Sequence, residues 1–291
     1  MGILTKVLSA LSGNTGLKIS DQLLFDKVIG FRGIVPGVGT STVVQNVALA
    51  LSKRTRYSIC ILDTSFLYGI QYAMLMKEES ENKDRKDFLD VDDDLSKIVI
   101  NTKINRVKLF CLNNRSILDM LSSRDSELVV DKLIKLLKAY FDIVLVDLSY
   151  ELTNITTYCS IKCNKVINIA DESLKCMYNL AKSLNLMATL ATPIAKGNLI
   201  VLNKVLPDVL SNTKGVISNA KLTLLCEIPF SKDIAVAGVS GKLIYTASSS
   251  SKDEVAFSNA IDNVVNFIID KTPLNAKYVD DLTVEENEIN I

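Results

Sequence analysis

The stretch Gly33-Ile34-Val35-Pro36-Gly37-Val38-Gly39-Thr40-Ser41-Thr42 is the part of this sequence best suited to hold an anion. Small residues at Gly37 and Gly39 let backbone N–H groups approach a phosphate, and a helix starting directly after them adds the positive end of its dipole. Ser41 or Thr42 would offer a hydroxyl to a magnesium ion. Two acids end apolar runs elsewhere in the chain. Asp63 follows 58–62, and Asp147 follows 141–146 in the manner of a strand whose terminal carboxylate faces a metal. Asn203 ends a third apolar run, 199–202, where its amide could read a base. Each feature also has a plainer reading. A Gly-x-Gly turn before a helix is common, and an acid after a core strand can be no more than its surface cap.

Composition excludes several other chemistries. The 291 residues contain no histidine. There is therefore no Ser-His-Asp triad, no Cys-His dyad and no imidazole metal ligand. Lys+Arg and Asp+Glu both number 33, so the chain carries no net positive charge with which to hold a nucleic acid backbone. The six cysteines, Cys60, Cys111, Cys159, Cys163, Cys176 and Cys226, contain no CxxC pair. Cys159 and Cys163 are spaced to share a helix face, but no second ligand pair accompanies them, and Cys60 and Cys111 sit in apolar runs as small core residues. No secretory signal is evident and no apolar run approaches the ~18 residues of a spanning helix, so a reducing cytoplasm is the expected compartment.

Alternating strands and helices would position these residues. Strand-like runs cover 28–31, 58–62, 108–112, 142–148, 165–170, 199–203 and 223–226. Helical periods cover 41–53, 125–140 and 253–269. In 125–140, Leu128, Val129, Leu133, Leu136 and Leu137 are expected on the inner side. A further stripe joins Leu174, Met177, Ala181, Leu184 and Met187. The run 142–148 is continuous and apolar, as in a strand buried on both faces. The pattern predicts an α/β fold, a mostly parallel sheet with helices on both faces. Ligands of such sheets bind at the carboxyl ends of the strands. Residues 1–27 form a separate N-terminal segment in which Ile3, Leu4, Val7, Leu8 and Leu11 recur at helical spacing, 28–272 form the sheet domain, and 273–291 form an acidic loose tail. Residues 77–97, with nine acids and five bases, read as a solvated surface.

Five segments in order resemble the MinD/ParA family of deviant P-loop ATPases, and within it the CpaE/TadZ proteins that place pilus-assembly machinery. They are Val38-Gly39-Thr40-Ser41-Thr42 with Asn46 and Ala48; Asp63-Thr64-Ser65-Phe66-Leu67-Tyr68-Gly69; the strand 141–148; Val201-Leu202-Asn203-Lys204; and Ile228-Pro229-Phe230-Ser231. The resemblance implies ATP and Mg2+ as ligands. It places nucleotide contacts at Gly37, Val38, Gly39, Thr40, Ser41, Thr42, Asp63, Asp147, Asn203 and Pro229, with Ser41 and Asp147 on the metal. It also implies a homodimer and a protein partner.

The sequence departs from that pattern where the chemistry is most demanding. Val35 stands where the family carries its signature lysine, and Thr40 where it carries the P-loop lysine. Ser65 replaces the second acid of the D-x-D segment. Losing one preorganised transition-state contact costs ~10²–10³ in rate, so three absent together imply no efficient ATPase. The resulting expectation is a dimer that binds ATP weakly or not at all and positions a pilus or secretion assembly. It would act in the cytoplasm, or peripherally at the inner membrane face or a cell pole, with residues 1–12 as a membrane or partner contact. The stripe from Leu174 would meet a partner or pack on the sheet. Two alternatives stand beside this reading. One is an active ParA-like partitioning ATPase, which the neutral charge disfavours. The other is an NAD(P)-dependent short-chain dehydrogenase using Gly33, Gly37 and Gly39, with Asp63 on a ribose, Asn113, and Tyr178 with Lys182 as its catalytic pair.

Overall fold

The structure is a computed structural model and describes residues 27–65, 70–76, 98–112, 126–151, 153–189, 199–206, 213–246 and 251–269. The expectations placed on residues 1–12, on 77–97, on Gly69 and Asn113, on the side chains of Ala181, Leu184 and Met187, and on the tail 273–291 lie outside the described residues.

Eight strands form one sheet: β1 (Lys27–Gly33), β2 (Ile59–Asp63), β3 (Ile100–Asn101), β4 (Val107–Cys111), β5 (Ile143–Leu148), β6 (Lys165–Ala170), β7 (Leu199–Val205) and β8 (Thr223–Pro229). Their order is β3-β4-β2-β5-β1-β6-β7-β8. All neighbours are parallel except the short β3 against β4. The central strands β2 and β5 are buried along their whole length, without alternation, because both faces of the sheet are covered. Ile29 and Phe31 of β1 and Ile59 and Ile61 of β2 pack into one core cluster, with Val43, Val47 and Leu51 of α1 (Thr40–Arg54) and Phe257, Ile261 and Val265 of α8 (Lys252–Ile269). Val28, Cys60 and Leu62 point the other way, toward Leu133 and Leu137 of α3 (Ser126–Tyr140) and Ile155 and Cys159 of α4 (Asn154–Lys162). The remaining helices are α2 (Ile70–Leu75), α5 (Leu174–Thr189), α6 (Thr213–Asn219) and α7 (Lys232–Val239). The predicted parallel sheet with helices on both faces is what forms.

The face that α3 buries differs from the sequence expectation. On α3 the inner face is Val130, Leu133, Ile134 and Leu137, while Leu128 is 67% exposed. At 100° per residue Leu128 lies roughly 200° around the helix from Val130, so both cannot face the sheet. Among the described side chains of α5, Cys176 and Leu180 are buried, Met177 packs beside them, and Leu174 is 85% exposed. Helix α4 has no strong apolar period. Its start is set by Thr153, whose hydroxyl accepts from the Thr156 N–H while the Thr156 hydroxyl accepts from the Thr153 N–H. Cys159 and Cys163 close the same helix as buried residues, the Cys163 thiol donating to the Cys159 carbonyl.

Candidate functional site

β1 lies between β5 and β6, yet the chain leaves it through α1 to reach β2 on the far side of β5. That reversal opens a crevice at the carboxyl end of β1, and the loop 34–39 sits there. Ile34 N–H donates to the Ile169 carbonyl at 3.0 Å, anchoring the loop on β6. Gly39 is the N-cap of α1, at φ +92 and ψ +24, and neither a side-chain cap nor an acid occupies the first turn. The first N–H groups of a 15-residue helix are thus left for an outside acceptor. Val35 and Val38 are buried in the core.

A cavity of about 470 Å³ opens over this loop, within the size range of small-molecule sites. Of the residues that the sequence marks as nucleotide contacts, Gly37, Gly39, Thr40, Ser41, Thr42 and Asp147 line it. So do Gly33, Val35, Ser65 and the segment Leu148-Ser149-Tyr150-Glu151, which continues directly from β5. Of the expected contacts, Val38, Asp63, Asn203 and Pro229 are not among the lining residues. No lysine or arginine stands among the described residues that line it.

The two acids meet across adjacent strands. Asp63 and Asp147 are paired in the β2–β5 register, and both are buried. The Ser41 hydroxyl donates to Asp147 Oδ2 at 2.7 Å, and Gln71 Nε2 donates to the same oxygen at 2.8 Å. Asp63 Oδ1 accepts the Ser65 N–H at 2.9 Å, while Asp63 Oδ2 is buried without a hydrogen-bond partner. Burial, and then the neighbouring Asp147, push the Asp63 carboxyl up to about 7. Burial also raises Asp147, against the opposing effect of its bonds from Gln71 and Ser41. Hydroxyl and carboxylate oxygens are a hard-cation donor set, and an orphaned buried carboxylate oxygen beside them fits a magnesium ion. Among the described residues no cluster of three or more Cys, Asp or Glu forms a metal cage. Magnesium ordinarily takes one or two carboxylates and completes its shell with phosphate and water. Sequence reasoning missed Gln71 because it lies on no strand end and in no motif. Only the packing of α2 brings it to β5.

On the opposite rim, Asn203 Nδ2 donates to the Val38 carbonyl at 2.7 Å, and Lys204 Nζ to the Gly37 carbonyl at 2.6 Å. Asn203 thus holds the loop with the amide expected to face a base. Pro229 is the last residue of β8, paired with Val205, and lies in the strand, not in a loop. A Cβ at Gly39 would fall inside contact distance of Asn203 Nδ2, whereas one at Gly37, φ +84, would meet open space. Gly37→Ala is expected to cost about 1–2 kcal/mol, the left-handed penalty alone. Gly39→Ala should cost clearly more, because it also displaces Asn203. Urea midpoints of the two variants check this, and equal losses would contradict it.

The strand order overturns the dehydrogenase reading. Doubly wound dinucleotide sheets place β2 directly beside β1, but here β5 separates them, and Asp63 faces Asp147 instead of the β1 turn. Tyr178 and Lys182 stack on each other at 4.4 Å on an exposed part of α5 and do not line the cavity.

Solved structures similar to this chain agree with this arrangement. A ParA family ATPase from Chlorobium tepidum TLS superposes with a TM-score of 0.65 at 19% identity, over 85% of this chain and 99% of its own. An ATP complex of McdA from Cyanothece gives 0.66 at 16% identity, over 85% and 98%. A chain of the MinC:MinD cell division protein complex from Aquifex aeolicus gives 0.64 at 16%, over 86% and 98%. This is the ParA/MinD fold. No protein-family model matches the chain, and no curated protein sequence does. Within the ParA/MinD fold, the start of α1 and the end of β5 bring Ser41 and Asp147 into contact in the lining of one cavity.

Proposed function

We propose that this chain is a ParA/MinD-type protein that acts by position more than by turnover. It binds ATP with magnesium weakly or not at all, dimerises, and recruits a cellular assembly of the pilus or secretion kind in the manner of the CpaE/TadZ proteins. The observation that carries this reading is the lining of the cavity, which holds Asp147 and Glu151 and, among the described residues, no cation. A triphosphate placed there meets the open N-terminus of α1 and the Gly37–Gly39 backbone. It must bring its own metal to offset two acids. Ser41 and Asp147 are the residues that would hold the metal. Magnesium, when bound, would neutralise phosphate charge and draw Asp147 toward its ionised form. Val35 and Thr40 supply no charge to either the ligand or a second subunit. ATP in the McdA complex and MinC on MinD support the nucleotide and partner halves of the proposal.

Isothermal titration with ATP and magnesium, alongside a steady-state phosphate-release assay, tests it. The expected outcome is weak or no heat and no turnover above background. Turnover at the rate of ordinary ATPases of this fold would sink it in favour of an active partitioning ATPase. That second reading draws on the intact Ser41–Asp147 contact at 2.7 Å. Among the described residues no helix is long and apolar enough to cross a membrane. A peripheral location, through residues 1–12 or through a partner, forms part of the proposal.

A further inference from the structure

β7 shifts register against β8 twice, between Ile200 and Val201 and again between Asn203 and Val205, and at the second shift Lys204 has no paired residue across the ladder. Lys204 takes φ +61, in the left-handed region that costs a side-chain-bearing residue energy. An irregularity of this kind re-aims side chains and recurs beside functional sites. Its effect here is to send two successive side chains to two successive carbonyls of the phosphate loop. Asn203 Nδ2 reaches Val38 O, and Lys204 Nζ reaches Gly37 O. Asn203 Oδ1 in turn accepts the Lys204 N–H at 2.9 Å, which fixes the amide's orientation.

The peptide unit is planar and trans, so its C=O and N–H point in opposite directions. The Gly37 carbonyl shares a plane with the Val38 N–H, and the Val38 carbonyl with the Gly39 N–H. Holding both carbonyls toward β7 therefore turns both N–H groups away from it, and Gly39, which carries one of them, lines the cavity. We infer that Asn203 and Lys204 form a clamp that presets the 37–39 peptides to receive a phosphate group of a polyphosphate ligand, in place of the organising lysine absent at position 40. Lys204 is a positioning residue in this scheme: its charge is committed to a carbonyl and not to the phosphate. The inference rests on reading this loop as an anion site, and it adds what keeps the loop in shape when no ligand is bound.

The test uses the full chain with Lys204→Met, Lys204→Gly and Lys204→Arg. Glycine accepts φ +61 without strain, so Lys204→Gly should unfold no earlier than the native chain. Backbone order parameters of Val38 and Gly39 are measured by NMR without ligand, and inorganic tripolyphosphate is titrated calorimetrically. The clamp requires native order parameters near the rigid value of ~0.85, falling toward ~0.6 in the Met and Gly variants and restored in the Arg variant. Tripolyphosphate affinity should fall about tenfold in the same two variants, the scale of one hydrogen bond to a charged group. Unchanged order in the Met and Gly variants overturns the inference. So does a loss of affinity with order unchanged, which would make Lys204 a direct phosphate contact. A loosened loop in a chain that binds no tripolyphosphate leaves the clamp standing and removes the anion-site reading instead.

Discussion

Asp63→Asn is expected to stabilise the protein by roughly 4 kcal/mol at pH 8 and to change little at pH 4. Asp63 is 1% exposed, pairs in register with Asp147, and leaves one carboxylate oxygen without a partner. Burial first, and the adjacent acid second, hold its proton until about pH 7, against about 3.9 in an unfolded chain. The sign follows from proton counts. Between those values the folded chain keeps a proton that the unfolded chain releases. The stability present below pH 4 is therefore lost progressively as pH rises toward 7, with nothing further lost above that. Asparagine keeps the oxygen that accepts the Ser65 N–H, replaces the orphaned oxygen with a donor beside Asp147, and has no proton to lose. Urea unfolding of both chains at pH 4, 6 and 8 should show the difference opening with pH. A gain of the same size at all three would mean that packing, not ionisation, separates the variants. Such a strained acid pair is a common mark of a site kept for binding and not for stability.

Thr40→Lys should raise affinity for ATP with magnesium by about tenfold to a hundredfold, the worth of one hydrogen bond between charged groups. Thr40 lines the cavity, and its hydroxyl leans over Gly33, which has no side chain to obstruct a longer residue. The new ammonium would enter a cavity whose charged lining, among the described residues, is acidic, so the gain should shrink as salt is added. Thr40→Met has similar reach without charge and should give no gain. Turnover should stay low in both, because Val35 and Ser65 are unchanged. No gain with lysine would show that the cavity does not accept a triphosphate at all.

Residue patterns carried a good part of this far. The runs 59–62 and 143–146 are apolar throughout because strands buried on both faces have no solvent side to mark. The glycines at 37 and 39 do take left-handed backbone, as a turn directly into a helix requires. Helix faces were less legible. α3 carries apolar residues around more of its circumference than it buries, so several stripes compete and only the packed sheet chooses one.

The sequence by itself determined the local chemistry: an uncapped helix start after a glycine turn, acids at two strand ends, no histidine, and no lysine at positions 35 or 40. These are short-range matters of residue type and spacing. The tertiary structure alone decided which of those residues meet. Inserting β5 between β1 and β2 sets Asp63 against Asp147 and removes it from the β1 turn. The packing of α2 brings Gln71 to Asp147, and the register shift in β7 turns Lys204 onto the loop. Strand order and register arise from pairings between residues far apart in the chain, and no local spacing encodes them.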